Sequence, residues 1–225
     1  MRAVGILGGM GPEATILLMQ KVLAAVPARD DADHVPLIVH QNPQVPSRIA
    51  ALIQGTGDDP GPVLAAMAGD LERAGARALA MPCNTAHHYA DAVRAATGLP
   101  FLDMLELTAA HLAGQGARRI GLLASPAVRL TGVFDPSFAA HDLRAEFPRD
   151  DSAVLALIRA VKAGQAADAA ILMREARALI QAGCEQVLIA CTELSLSAQE
   201  LPADIHWTDS LDCLAHAIVA FAAGD

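Results

Sequence analysis

The stretches Met81-Pro82-Cys83-Asn84-Thr85-Ala86-His87 and Ala190-Cys191-Thr192-Glu193-Leu194 each set a cysteine just after an apolar, strand-like run. Residues 76–81 precede the first and residues 186–190 the second. A small polar residue and a helix-like stretch follow each cysteine. One cysteine at the mouth of each half predicts a pair that faces one substrate from opposite sides. Two opposed thiols suit the removal of a proton from one face of a carbon and the return of one to the other face.

Working outward, apolar runs of strand length alternate with longer helical patterns. Residues 4–7, 36–40, 76–81, 120–124 and 187–190 read as buried strands. Residues 12–26, 62–74, 86–97, 104–115, 152–163, 166–182 and 210–222 read as helices. This alternation predicts an α/β fold with mostly parallel sheets. Gly75, Gly116 and Gly183 fall just after helical patterns, where a left-handed cap is expected. The halves also look alike. Val4-Gly5-Ile6-Leu7-Gly8 resembles Ile120-Gly121-Leu122-Leu123-Ala124, and Ala80-Met81-Pro82-Cys83 resembles Leu188-Ile189-Ala190-Cys191. The expected organisation is two similar α/β lobes, residues 1–98 and 99–209, with the helix in 210–225 packing back on the first. Ligands of open α/β sheets bind at the carboxyl ends of strands, so the site is expected in the cleft between the lobes.

Composition narrows the partners. The 225 residues are 53% hydrophobic, ample for a packed core, and the formal net charge is −9. That charge argues against nucleic acid or an acidic membrane surface, both of which need clustered Lys and Arg. Aromatic content of 3% leaves little for base stacking. No apolar run approaches the roughly 20 residues of a membrane span, and Met1 leads straight into a strand pattern without a signal-peptide cleavage region. A soluble cytoplasmic protein is expected. None of the four cysteines sits in a C-x-x-C pair, so a zinc ribbon is not supported. Cys184 and Cys213 read as small buried hydrophobes.

Gly9-Met10-Gly11-Pro12-Glu13-Ala14 matches the dinucleotide pattern G-x-G-x-x-A after a strand. Glu13 in the first helical turn would repel a pyrophosphate, however. Asp30, Asp31 and Asp33 precede the second strand, whereas a ribose-binding acid belongs at its end. The glycines are better read as making the turn, with Pro12 at the first helical position and Glu13 complementing the macrodipole. The turn's backbone N–H groups remain candidates to hold a substrate carboxylate.

Both cysteines lie at an expected helix N-terminus, whose field would lower a thiol pKa. Asn84, Thr85 and Thr192 place short polar groups where an anion could be held. Glu193 reads either as a carboxylate that accepts a thiol proton or as a first-turn partner of the dipole. His87, one turn past Cys83, either tunes that thiol or caps polar groups. After the strand at 36–40 comes the rigid loop Asn42-Pro43-Gln44-Val45-Pro46-Ser47-Arg48, where Arg48 reads either as a surface cation or as a fork for a carboxylate.

Taken together, Gly8-Gly9-Met10-Gly11-Pro12-Glu13-Ala14-Thr15, Asn42-Pro43-Gln44-Val45-Pro46, Pro82-Cys83-Asn84-Thr85-Ala86-His87 and Cys191-Thr192-Glu193-Leu194 resemble the cofactor-independent aspartate/glutamate racemase family over nearly the whole chain. The resemblance implies two similar α/β lobes around a central site. It implies a small amino-acid substrate, no cofactor, no metal and a homodimer. It makes Cys83 and Cys191 the acid/base pair, Cys83 serving the D-enantiomer and Cys191 the L-enantiomer. Asn84, Thr85, Thr192 and Met10 would bind the α-carboxylate, with Asn42 and Gln44 also at the substrate. Arg48 and Lys162 would grip a side-chain carboxylate, and Glu193 and His87 would support the thiols. Three positions depart from the family pattern: Ser47 replaces a usual aspartate, Val128 a common threonine and Phe134 a common tyrosine. The readings that compete with racemisation of aspartate or glutamate are a broad-specificity amino-acid racemase, a cysteine-dependent decarboxylase or isomerase, and a ligand-binding regulatory protein.

Overall fold

A strand with every residue buried needs a covered sheet on both faces, and the central strands of this protein meet that condition. In the computed structural model, which describes residues 1–165 and 168–224, β1 (Val4–Gly8) and β3 (Ala78–Ala80) are buried throughout. They pair in parallel with each other and with the flanking strands β2 (Leu37–Gln41) and β4 (Phe101–Leu102), in the order β2-β1-β3-β4. The second half repeats this arrangement. β5 (Arg119–Ala124) and β7 (Gln186–Ala190) are central, and β6 (Arg144–Glu146) and β8 (Trp207–Asp209) lie outside them, in the order β6-β5-β7-β8. The fold is therefore α/β, with two parallel four-stranded sheets.

Helices α1 (Pro12–Ala25), α2 (Gly61–Arg73), α3 (Ala90–Ala96) and α4 (Met104–Gly114) belong to the first half of the chain. Helices α5 (Pro126–Thr131), α6 (Asp135–Ala140), α7 (Ser152–Lys162) and α8 (Ala169–Gln181) belong to the second, followed by α9 (Ser210–Ala223). The expected helix at 166–182 begins on residues 166 and 167, which lie outside the described residues. The expected helix at 86–97 divides into a 3₁₀ segment, Thr85–Tyr89, and then α3. Three strands, β4, β6 and β8, and two short helices, α5 and α6, were not expected. These strands are two or three residues long, too short for an alternating pattern to register.

The internal repeat has a packing basis. A Cβ on Gly5 would lie 3.1 Å from Leu71 of α2, and one on Gly121 would lie 2.8 Å from Leu179 of α8. Each sheet thus lets one helix approach at the same point of its first strand. Leu211, Leu214 and Ile218 of α9 share a core with Val4, Ile6, Leu18 and Met104, so the last helix covers the first sheet. Because β4 completes that sheet beyond residue 98, we propose that the first lobe runs through Leu102 and includes α9. The close approach at Gly121 yields a test. Gly121→Val should destabilise by about 1–3 kcal/mol through overpacking against Leu179, read as a lowered denaturation midpoint; an unchanged midpoint would contradict the packing account.

Candidate active site

The carboxyl ends of the central strands put both cysteines on one cavity. Cys83 follows β3 and Cys191 follows β7; both are free, nearly buried thiols. They line a cleft of about 560 Å³ together with Met10, Gln44, Arg48, Thr85, Lys162 and Glu193, all expected site residues. Asn42, Asn84, His87 and Thr192 are not in the lining. The lining also contains Ser125 and Ile158, which the sequence reading missed. Ser125 caps α5, accepting from the Ala127 N–H at 3.3 Å. Ile158 stands one helical turn before Lys162 on α7, so the two share a face.

The first lobe builds its wall from two loops. Gly9 has φ of +95°, and a Cβ there would fall 2.4 Å from the Asn42 carbonyl carbon, so only glycine lets the loops after β1 and β2 meet. The Gly9 N–H donates to Thr15 Oγ1 at 2.9 Å and so is engaged within the turn. Asn42 Oδ1 accepts from the Gln44 N–H at 3.0 Å, an Asx turn that shapes the loop. Arg48 donates to the carbonyls of Val45 (3.2 Å), Pro46 (2.9 Å) and Met10 (3.1 Å), tying the two loops together. Its Nε is buried without a partner among the described residues. Arg48 also lines the cleft.

The second lobe contributes a charged chain. Cys191 Sγ donates to Glu193 Oε2 at 3.0 Å, and the other oxygen of Glu193 pairs with the Lys162 ammonium. Glu193 thus accepts a hydrogen bond from the thiol while its charge opposes the thiol's ionisation. Burial, then the Glu193 charge and its hydrogen bond, push the Cys191 thiol well above its ordinary value. This corrects the expected lowering by a helix N-terminus: the segment after Cys191 is 3₁₀ (Leu194–Glu200), and burial beside a carboxylate outweighs any helical field there. Burial opposes the Lys162 charge, but Glu193, and the negative charge that either cysteine carries as a thiolate, hold its pKa above the usual lysine value. Lys162 therefore senses both cysteines.

Behind the cleft, His87 ties the Cys83 loop. Its Nε2 accepts from the Met104 N–H at 3.2 Å, which leaves Nδ1 protonated to donate to the Cys83 carbonyl at 2.9 Å. Burial, only partly countered by Asp103, lowers the His87 pKa, consistent with this neutral form. Asn84 is buried, and its Nδ2 donates to Ser210 Oγ. Thr192 is buried next to Cys191. Ser195, four residues past Cys191, donates to Asp209 Oδ1 at 2.8 Å, and Lys21 of α1 stands 3.4 Å from Asp209 Oδ2. Of the three departures from the family pattern, Ser47 lines the cleft, whereas Val128 and Phe134 lie in the core beside the second sheet. Their missing hydroxyls are therefore absent from the core and not from the cleft wall.

This is a two-lobed α/β protein that brings one thiol from each lobe to a single cleft. Residues 7–218 match the family model described as Asp/Glu/Hydantoin racemase, and the chain belongs to that family, as an amino-acid racemase of the isomerase class. It is 25% identical, over 96% of each chain, to the broad specificity amino-acid racemase RacX of Bacillus subtilis. Aspartate racemase from Picrophilus torridus superposes with a TM-score of 0.86 at 28% identity, covering 99% of this chain and 95% of that one. Glutamate racemase of Francisella tularensis in complex with D-glutamate shares the fold, with a TM-score of 0.68 at 13% identity over 98% of this chain and 80% of that one. Among the described residues no helix is long and apolar enough to cross a membrane.

Two outcomes follow from these electrostatics. Glu193→Gln removes the charge that opposes Cys191 ionisation, so the pH midpoint of Cys191 alkylation should fall; an unchanged or raised midpoint would contradict the pairing. Asp209 is raised by burial, against the pull of Lys21, from 3.8 to about 6. The folded state therefore binds its proton more tightly than the unfolded state, and stability from this group is lost as pH rises through about 6. Relative to Asp209→Asn, the wild type should gain about 1 kcal/mol between pH 7 and pH 5, measured by denaturant unfolding at each pH.

Proposed function

We propose that this protein interconverts the enantiomers of an acidic amino acid, aspartate or glutamate, by two-thiol acid/base chemistry without a cofactor, acting in the cytoplasm as a homodimer. The observation that carries this reading is the pair of free cysteines at equivalent strand ends on one cleft. One cysteine, as thiolate, takes the α-proton and becomes a thiol. The other, as thiol, delivers its own proton to the opposite face and becomes the thiolate. Each turnover in one direction leaves the pair set for the other, which suits a reaction between mirror images. Cys191 serves the L-enantiomer and Cys83 the D-enantiomer. When Cys191 is the thiol that delivers a proton, Glu193 orients its S–H by accepting from it at 3.0 Å.

The substrate carboxylates have separate partners in this reading. Thr85 and the turn at Met10 hold the α-carboxylate, with Asn84 and Thr192 supporting from behind. Arg48, with Lys162, receives the side-chain carboxylate, and Gln44 borders it. Fixed donors around the α-carboxylate stabilise the carbanion in a site with little water. A second reading, broader specificity, draws on the Lys162–Glu193 pair, because an ammonium already matched by a carboxylate selects less strongly for acidic side chains.

Cys83→Ala and Cys191→Ala should each abolish racemisation of L-aspartate and L-glutamate, followed by optical rotation of purified protein without added cofactor. Substantial racemisation by either variant would exclude the two-thiol mechanism. Arg48→Ala should lower kcat/KM for the acidic substrate by roughly tenfold or more relative to L-alanine, given about 1.5–3 kcal/mol for a charge-assisted bond. An equal effect on both substrates would favour the broad-specificity reading.

A further inference from the structure

Ser210 opens α9 and is fully buried. Its hydroxyl has one hydrogen, which it donates to the Ile189 carbonyl at 3.0 Å. The same oxygen accepts from Asn84 Nδ2, also at 3.0 Å. Asn84 immediately follows Cys83, and Ile189 stands two residues before Cys191. Two hydrogen bonds through one oxygen therefore connect the chain at one thiol to the chain at the other. Asn84 Oδ1 has no partner among the described residues, so the bond to Ser210 orients the amide. The neighbouring Asp209 holds the other flank of Cys191, accepting from Ser195 Oγ and from the Leu211 N–H at 2.9 Å. The corresponding position after β4 is Met104, whose side chain has no hydrogen to donate to a carbonyl. There the Cys83 loop is tied to the start of α4 by His87, which accepts from the Met104 N–H.

We infer that Ser210 is a positioning residue that keeps the Cys83 and Cys191 loops in register across the lobes. The inference rests on the two-thiol reading. Transfer from one thiol and to the other requires both sulfurs to flank one carbon at the same moment, and misplacement by about 1 Å costs on the order of a hundredfold in rate. Without the Ser210 hydroxyl, the Asn84 amide and the Ile189 carbonyl lose a shared buried partner, and the two loops are free to relax independently.

The test compares wild type with Ser210→Ala, Ser210→Cys and Ser210→Thr in deuterated water, using the acidic amino acid that the wild type turns over. Ser210→Ala should lower kcat for inversion roughly tenfold to a hundredfold, with KM changed much less. Deuterium exchange into recovered, uninverted substrate should rise relative to inversion, because a carbanion whose second thiol is misplaced lives longer beside the first, whose S–H then exchanges with the deuterated solvent and returns a deuteron to the original face. Ser210→Cys keeps the size but bonds weakly and should show the same shift. Ser210→Thr, which retains the hydroxyl, should restore the wild-type ratio. A merely structural role would lower exchange and inversion together, and that outcome, or unchanged kinetics, would overturn the inference. A second measurement is independent of turnover. Alkylation of Cys83 and Cys191, read by peptide mass spectrometry on folded protein, should accelerate at both sites in Ser210→Ala; acceleration at Cys191 alone, or at neither, would overturn the inference. Wild type that neither exchanges nor inverts any amino acid would remove the function proposed above, whereas active wild type with unaltered variants would remove only the role of Ser210.

Discussion

Burial of the central strands is the constraint on which the rest of this structure depends. β3 and β7 are buried at every residue and paired on both sides, so the chain can change direction only after their carboxyl ends. The cysteines occupy those first turns. Their distance from the sheet is set by backbone ladders, and flexible side-chain contacts have little say in it. Gly5 and Gly121 serve the same end, because the helices must come close to each sheet for the strands to be dry. The cleft is thus a by-product of two covered sheets whose carboxyl edges face each other.

Polar groups behind the cleft complete the arrangement. Loops that leave a buried strand carry N–H and C=O groups into the interior, and each needs a partner. His87 meets this need for the Cys83 carbonyl and the Met104 N–H. Asp209 meets it for the start of α9 and for Ser195. Asn84, next to Cys83, is thus occupied with Ser210, and the cleft wall draws also on positions far away in sequence, such as Arg48, Ser125 and Lys162.

Much of this was legible in the sequence for a physical reason. Long apolar runs and glycine caps announce buried strands and helix ends, and the two cysteine segments declare themselves by repeating. β6 and β8 escaped because Arg144-Ala145-Glu146 and Trp207-Thr208-Asp209 are short and partly polar. Ser125 and Ile158 escaped because a cleft wall is assembled in three dimensions from ordinary residues. The thiol chemistry of Cys191 was misjudged because proximity to a helix start is visible in a sequence, whereas depth of burial and the direction of the Glu193 carboxylate are not. The readings of Asn84 and His87 lacked the same information, namely which way each side chain turns.

The two thiols occupy equivalent positions in unequal company. Two residues past Cys191 stands Glu193, with its lysine; two residues past Cys83 stands Thr85. Enantiomers have identical free energies in water, so for any racemase the ratio of kcat/KM in the two directions must equal one. No asymmetry of the protein can alter that ratio. What the asymmetry can do is divide the same catalytic power differently between the two directions, so that a higher turnover number for one enantiomer is matched by a proportionally higher Michaelis constant. An active site with a carboxylate beside only one of its two acids is free to favour one hand in occupancy, and is obliged to repay the difference in speed.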